Sequence, residues 1–167
     1  VRPEVVKLPE PKFDGKLSIE GGLRKRRSTR EYGDDPLTLE EVSQLLWAAQ
    51  GITAPDGLRT APSAGALYPL ELYLIAGRVR DLSKGVYKYR PNRHELLKVA
   101  EGDKRAELAS AALDQESVRD GAVVLIFVAV YDRTTRKYGS RGVTYVHMEA
   151  GHVAQNVYLQ AVSLNLG

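Results

Sequence analysis

Five cations fall within the seven residues Arg24-Lys25-Arg26-Arg27-Ser28-Thr29-Arg30. Arg26 and Arg30 are four apart and Arg27 and Arg30 three apart, a spacing that predicts one patch on a helix. Ser28 and Thr29 add hydroxyl donors. Forked guanidiniums beside a hydroxyl and free backbone N–H groups suit a phosphate monoester, which offers three acceptor oxygens. The competing readings are a solvated basic surface and a nucleic-acid patch. Against the latter, no further cations extend the stripe and no aromatic platform interleaves it. Residues 1–30 hold nine Lys/Arg against four Asp/Glu, so the remainder of a chain of net charge +3 sums to −2. The pattern is a local anion site on a near-neutral body.

A second feature is the loop Ala61-Pro62-Ser63-Ala64-Gly65-Ala66-Leu67-Tyr68-Pro69. Its small side chains leave backbone amides exposed, so a flat aromatic ligand could approach closely, and its prolines fix its course. Other chemistries lack their residues. Cysteine is absent, which excludes disulfides, thiolate metal sites, iron–sulfur clusters and a cysteine nucleophile. His147 and His152 are five apart, about 140° around a helix, and do not share a metal-ligand face as an i, i+4 pair does. They read as structural or surface histidines. No Gly-x-Ser-x-Gly elbow, no Walker A loop and no dinucleotide Gly-x-Gly-x-x-Gly fingerprint occurs.

The elements that must position these residues read as one α+β domain, in keeping with 167 residues, 43% apolar and 27% charged. Residues 1–17, with Pro3, Pro9 and Pro11, read as an extended arm, and residues 18–167 as the domain. A short helix follows Ser18, weakened at Gly21-Gly22 by roughly 1 kcal/mol per glycine relative to alanine. Thr38 and Glu41 form a capping box for a helix whose apolar face is Val42, Leu45, Leu46 and Ala49, ended by Gly51. Glu71–Ile75, Gly85–Tyr89 and Glu95–Val99 read as strands, the last two turned by Pro91-Asn92-Arg93. Asp103 is expected to cap a helix carrying Leu108, Ala111 and Ala112. Val123–Val130, apolar on both faces, reads as a central strand covered on both sides. The final helix is marked by Val146, Ala150, Val153, Val157, Ala161 and Leu164. Four strands and four helices result. The longest apolar run, Ala122–Tyr131, is too short to span a membrane. Val1–Lys16 has no apolar segment of the secretory type, so the expected address is cytoplasmic.

Four segments occur in one order: Arg26-Arg27-Ser28-Thr29-Arg30, Pro62-Ser63-Ala64-Gly65-Ala66-Leu67-Tyr68-Pro69, Lys137-Tyr138-Gly139 and Glu149-Ala150-Gly151-His152-Val153-Ala154-Gln155-Asn156. In this order the chain, from about Leu8 to Gly167, resembles the FMN-dependent nitroreductase superfamily. Within it, the chain is similar to the SagB-type dehydrogenase branch, whose members include enzymes that oxidise thiazolines and oxazolines in modified peptides. The resemblance implies a three-layer fold with a mainly antiparallel central sheet flanked by helices. It also implies a homodimer with FMN at the subunit interface, a small-molecule or modified-peptide substrate, and NAD(P)H as a candidate reductant, with neither nucleic acid nor membrane as partner.

Carried over by residue, the resemblance has Arg26 and Arg30 hold the FMN phosphate with support from Ser28. Arg27 would sit by the ribityl chain and the pyrimidine edge. Pro62, Ser63, Ala64 and Gly65 would cover the flavin from the other subunit, and Gln115 lies near the family's amide contact to the ring. Lys137 and Tyr138 match a pair associated with proton removal in the azoline-oxidising branch; the plainer reading is a surface lysine beside a packed tyrosine. A base there needs a lowered lysine pKa, for which Arg133, Arg136 and Arg141 are the nearby cations in sequence. Family members continue past the equivalent of Leu166-Gly167, and Gly167 stands where a helix-ending glycine belongs without the residue that completes the cap. The expectation is a family domain truncated at its C-terminus; likewise, a start at Val1 rather than Met suggests a chain processed or cut. The rivals are a non-catalytic flavin-binding or interaction module of the same fold and, more remotely, a nucleic-acid binder through residues 24–30.

Overall fold

Local signals decide where most elements begin. In the computed structural model, which describes residues 4–167, helix α2 (Leu39–Gln50) opens on the expected capping box. Thr38 Oγ1 accepts the Glu41 N–H at 3.2 Å, and the Glu41 carboxylate accepts the Thr38 N–H at 2.8 Å. Helix α1 (Ile19–Lys25) starts at Ser18, whose hydroxyl accepts the Gly21 N–H at 3.1 Å. Strands β2 (Leu70–Ala76) and β3 (Gly85–Arg90) alternate as a half-covered sheet should. Leu70, Leu72, Leu74, Tyr87 and Tyr89 turn into the core, while Glu71, Lys88 and Arg90 turn away. β3 turns through Pro91–Arg93 into β4 (Glu95–Glu101), with His94 left-handed at φ 46°.

Two further strands complete the sheet. β1 (Val5–Lys7) pairs with β4, and β5 (Val123–Ala129) pairs with β2, giving the order β1-β4-β3-β2-β5, antiparallel throughout. Both differ from the sequence reading. The extended arm carries a fifth strand, and beyond it Leu8 is buried and Gln44 grips both backbone groups of Lys12 at 2.9 Å. β5 is an edge strand, not a central one. Nor is it covered on both sides, since every residue from Val123 to Ala129 is at least partly exposed and Val128 is 42% exposed; an apolar run shows neither which edge is paired nor what covers each face.

The long helix α6 (Arg141–Ser163) starts five residues before Val146 and packs along α2 over the sheet. Leu46, Val146 and Val153 meet Leu74 and Leu96 in the core. α3 (Arg105–Ala111) is preceded by Lys104 at the cap position. Asp103, expected to cap it, stands one residue earlier and accepts the Arg105 N–H and guanidinium instead. Two short helices had no periodic signature: α4 (Glu116–Asp120) and α5 (Asp132–Tyr138). α5 crosses α6 at Gly142, where a Cβ would lie 2.8 Å from the Thr135 backbone. Only glycine permits that approach. The described residues thus form a five-stranded sheet and six α-helices.

Candidate functional site

The cation cluster does not ride on a helix. α1 ends at Lys25, and Arg27 Nη1 turns back to cap it, donating to the carbonyls of Arg24 at 3.1 Å and Arg26 at 2.7 Å. Continuing the helix would stack Arg26, Arg27 and Arg30 on one side, where like charges three and four apart repel. The patch comes instead from an irregular strand of chain laid along a cavity of about 710 Å³, a size typical of small-molecule sites. Arg26, Arg27, Ser28 and Arg30 all line it. Among the described residues, none of the five cations at 24–30 enters an ion pair. Asp35 and Glu41 also line the cavity but lie outside ion-pairing distance of these arginines, so Arg26 and Arg30 can bind an anion without breaking another bond. The opposite wall is apolar, from Val123–Leu125 of β5 and Val157 and Ala161 of α6. The edge of β5 away from β2 has no strand partner. Gln115 is exposed at the start of α4 and does not line the cavity, although Ser117 does.

The small-residue loop lies elsewhere. Ser63 Oγ accepts the Tyr68 N–H at 2.9 Å and its carbonyl accepts the Ala66 N–H at 3.0 Å. Gly65, Ala66 and Tyr68 are left-handed, at φ 63°, 54° and 45°. Glycine adopts this region freely, but Ala66 and Tyr68 store backbone strain of the kind that persists only when surroundings enforce it. Lys137 and Tyr138, at the end of α5, press on this loop. A Cβ at Gly65 would stand 2.8 Å from the Tyr138 hydroxyl and 3.0 Å from Lys137 Nζ. Lys137 itself is exposed, and Tyr138 stacks edge-on with Tyr145 at 5.2 Å. Two of the neighbouring cations have other partners: Arg133 pairs with Glu71 at 2.6 Å and Arg136 with Asp132 at 3.9 Å.

Beneath the loop sits a polar cluster that sequence reasoning missed as a functional group. Glu149 on α6 is only 2% exposed. Burial pushes its carboxyl above the usual range, while the nearby polar groups of Ser63 and Gln50 and the charges of Arg59 and His152 pull the other way. Its Oε1 and the Gln50 Nε2 are buried without a partner at good hydrogen-bonding geometry. Arg59, pushed down by burial, donates to Gln50 Oε1 at 3.0 Å and lies 4.3 Å over the Tyr68 ring. The available signal was Glu149, His152 and Asn156 at i, i+3 and i+7, a polar stripe beside the apolar face of α6. His147 and His152 serve different partners, Tyr131 at 2.9 Å and the Pro62 carbonyl at 3.4 Å. No group of metal-binding side chains forms among the described residues.

Ser63 lies beside α6 at Glu149, and the cavity lining on α6 begins at Val157, about 12 Å further at 1.5 Å per residue. The cavity lining includes none of Pro62, Ser63, Ala64, Gly65, Lys137 or Tyr138. A single chain therefore joins the loop to Lys137–Tyr138 and leaves both away from the arginines. No helix among the described residues is long and apolar enough to cross a membrane.

Comparison with known proteins converges on one family. The model of the nitroreductase family matches residues 23–167. The chain is 53% identical over 151 residues to the "Putative nitroreductase MJ1384" of Methanocaldococcus jannaschii, spanning 90% of this chain and 76% of that one. It is 29% identical over 136 residues to the microcin B17-processing protein McbC of Escherichia coli, spanning 78% of this chain and 50% of that protein. The crystal structure of another protein carrying the name "putative nitroreductase", from Ralstonia eutropha JMP134, superposes with a TM-score of 0.81 at 32% identity, over 96% of this chain and 72% of its own.

Proposed function

The chain belongs to the nitroreductase family, a family of oxidoreductases, and from that membership we propose that it is an FMN-dependent oxidoreductase working as a homodimer. The observation that carries this reading is the set of unpaired arginines at a cavity with an apolar wall. Its residues fit the cofactor. Arg26, Arg30 and Ser28 match a terminal phosphate, Val157 and Ala161 match a flat ring, and the open edge of β5 offers backbone groups to a ring's polar rim. Arg27, held by the α1 carbonyls, keeps its charge at the cavity, where it would favour an anionic ring. When bound, FMN supplies two-electron chemistry, accepting or donating hydride at N5.

The remaining roles follow from the loop. Because Pro62, Ser63, Ala64 and Gly65 lie away from the arginines of their own chain, a second copy must lend them if they are to cover the ring. Because Gly65 is packed on Lys137 and Tyr138, a subunit that lends its loop lends that pair as well. Lys137 Nζ would then accept a carbon-bound proton as hydride leaves the substrate, with the Tyr138 hydroxyl orienting the amine. An azoline in a modified peptide is the substrate class we favour, supported by the similarity to a microcin-processing protein. In that case the base role depends on the dimer, since Lys137 is exposed on the single chain.

The test is direct. The purified protein should bind FMN with visible flavin absorbance, sediment as a dimer, and oxidise a reduced nicotinamide or an azoline peptide. A monomer without saturable flavin binding overturns the proposal. A yellow dimer inert towards all of these substrates supports the rival reading of a non-catalytic flavin module.

A further inference from the structure

We propose that Glu149, His152 and Asn156 form a clamp on α6 that sets the strained loop Thr60–Tyr68, making them positioning residues for whatever that loop covers. The three stand at i, i+3 and i+7, on one side of the helix. Asn156 Nδ2 donates to the Thr60 carbonyl at 3.3 Å, His152 Nδ1 lies 3.4 Å from the Pro62 carbonyl oxygen, and Glu149 faces Ser63. Successive turns of α6 thus meet residues 60 and 62 through polar contacts and place Glu149 beside Ser63, in order along the loop.

From the other side, α2 closes the clamp. Thr60 Oγ1 donates to the Trp47 carbonyl at 3.1 Å, and Gln50 accepts from Arg59 at 3.0 Å. The Arg59 N–H donates to the Tyr68 hydroxyl at 3.1 Å, tying the end of the loop to its start. What is held is unfavourable by itself, since Ala66 and Tyr68 have Cβ atoms and yet are left-handed. Strain of this kind persists only where its surroundings over-determine it. The clamp is polar, buried at Glu149 and Gln50, half-buried at Asn156 and exposed at His152, and its directional bonds favour one loop conformation where apolar packing would tolerate several. A pre-set loop spares a ligand the cost of ordering it.

The inference rests on the reading that Pro62–Gly65 covers a flavin, but its first test does not. Amide hydrogen exchange on the ligand-free full chain reads the loop directly. In Asn156→Ala and Glu149→Ala, exchange across residues 60–68 should rise about tenfold or more, with β2 and β3 within about twofold of the wild type. Glu149→Gln, which keeps the shape and one acceptor oxygen, should restore part of the protection. The second readout is affinity. Loss of the clamp should weaken FMN and riboflavin by the same factor, because the loop would meet the ring and not the phosphate. Unchanged exchange at 60–68, or equal acceleration of loop and core in both alanine variants, overturns the clamp. A freed loop with unchanged flavin affinity overturns its role in flavin binding. A wild type that binds neither flavin overturns the proposed function instead, and leaves the clamp to be judged by exchange alone.

Discussion

Replacing Arg30 by alanine separates phosphate anchoring from every other role of the basic segment. Arg30 is exposed, lines the cavity, and is in none of the ion pairs among the described residues. Its removal therefore orphans no acid, and the change in folding stability should stay within about 0.5 kcal/mol. A charge-assisted hydrogen bond to phosphate is worth about 1.5–3 kcal/mol. Exposure places Arg30 at the low end, about 1.5 kcal/mol, or roughly a tenfold weaker FMN affinity. Half-buried Arg26 should cost more, about 2–3 kcal/mol, and the double variant less than the sum, because both would share one phosphate. Riboflavin lacks that phosphate and should be unaffected. Fluorescence titration of both ligands at two ionic strengths measures all of this. Salt should weaken FMN binding in the wild type and weaken it less in Arg30→Ala. An equal loss of FMN and riboflavin, or a melting temperature lowered by many degrees, would refute the anchoring argument and make Arg30 a folding residue.

Lys137→Ala should lower oxidation of a carbon acid by about 100-fold or more, the size of a general-base contribution, while FMN titration is unchanged; full turnover on every substrate would leave the lysine as surface. Gly142→Ala pushes a methyl group into the Thr135 backbone, an overpacking cost of about 1–3 kcal/mol, visible as a lowered melting temperature and absent if α5 simply slides. Glu149→Gln should show a pH signature. Burial raises the folded-state pKa of Glu149 above its unfolded value despite Ser63, Gln50, Arg59 and His152. Its favourable contribution is therefore full below the unfolded pKa of about 4.3 and is lost as pH rises through the folded value. The variant, which does not titrate there, should gain melting temperature relative to the wild type as pH rises above about 4.3. A flat difference would contradict the burial argument.

Much of this protein was legible along the chain because it is decided by neighbours in sequence. The Thr38–Glu41 capping box, the alternation of β3 and the stepping of Val146, Ala150, Val153 and Val157 each involve residues a turn or a pleat apart. The ordered motifs marked the family in the same way. Other features needed the folded chain. The placing of β5 at an edge, the pairing of Val5–Lys7 with β4, and the departure of Arg26–Arg30 from a helix depend on partners remote in sequence or on repulsion at a helix end. Periodicity reports which side chains share a face and says nothing about which element, if any, covers it. For that reason Glu149 carried no assigned role in the sequence beyond its place in a family segment, and its burial under α2 and the loop is a feature of the fold. The meeting of Gly65 with Lys137 and Tyr138, and the distance of all three from the arginines, likewise exist only in three dimensions. Local bonding chose the elements, and long-range packing chose which chemical groups share a site.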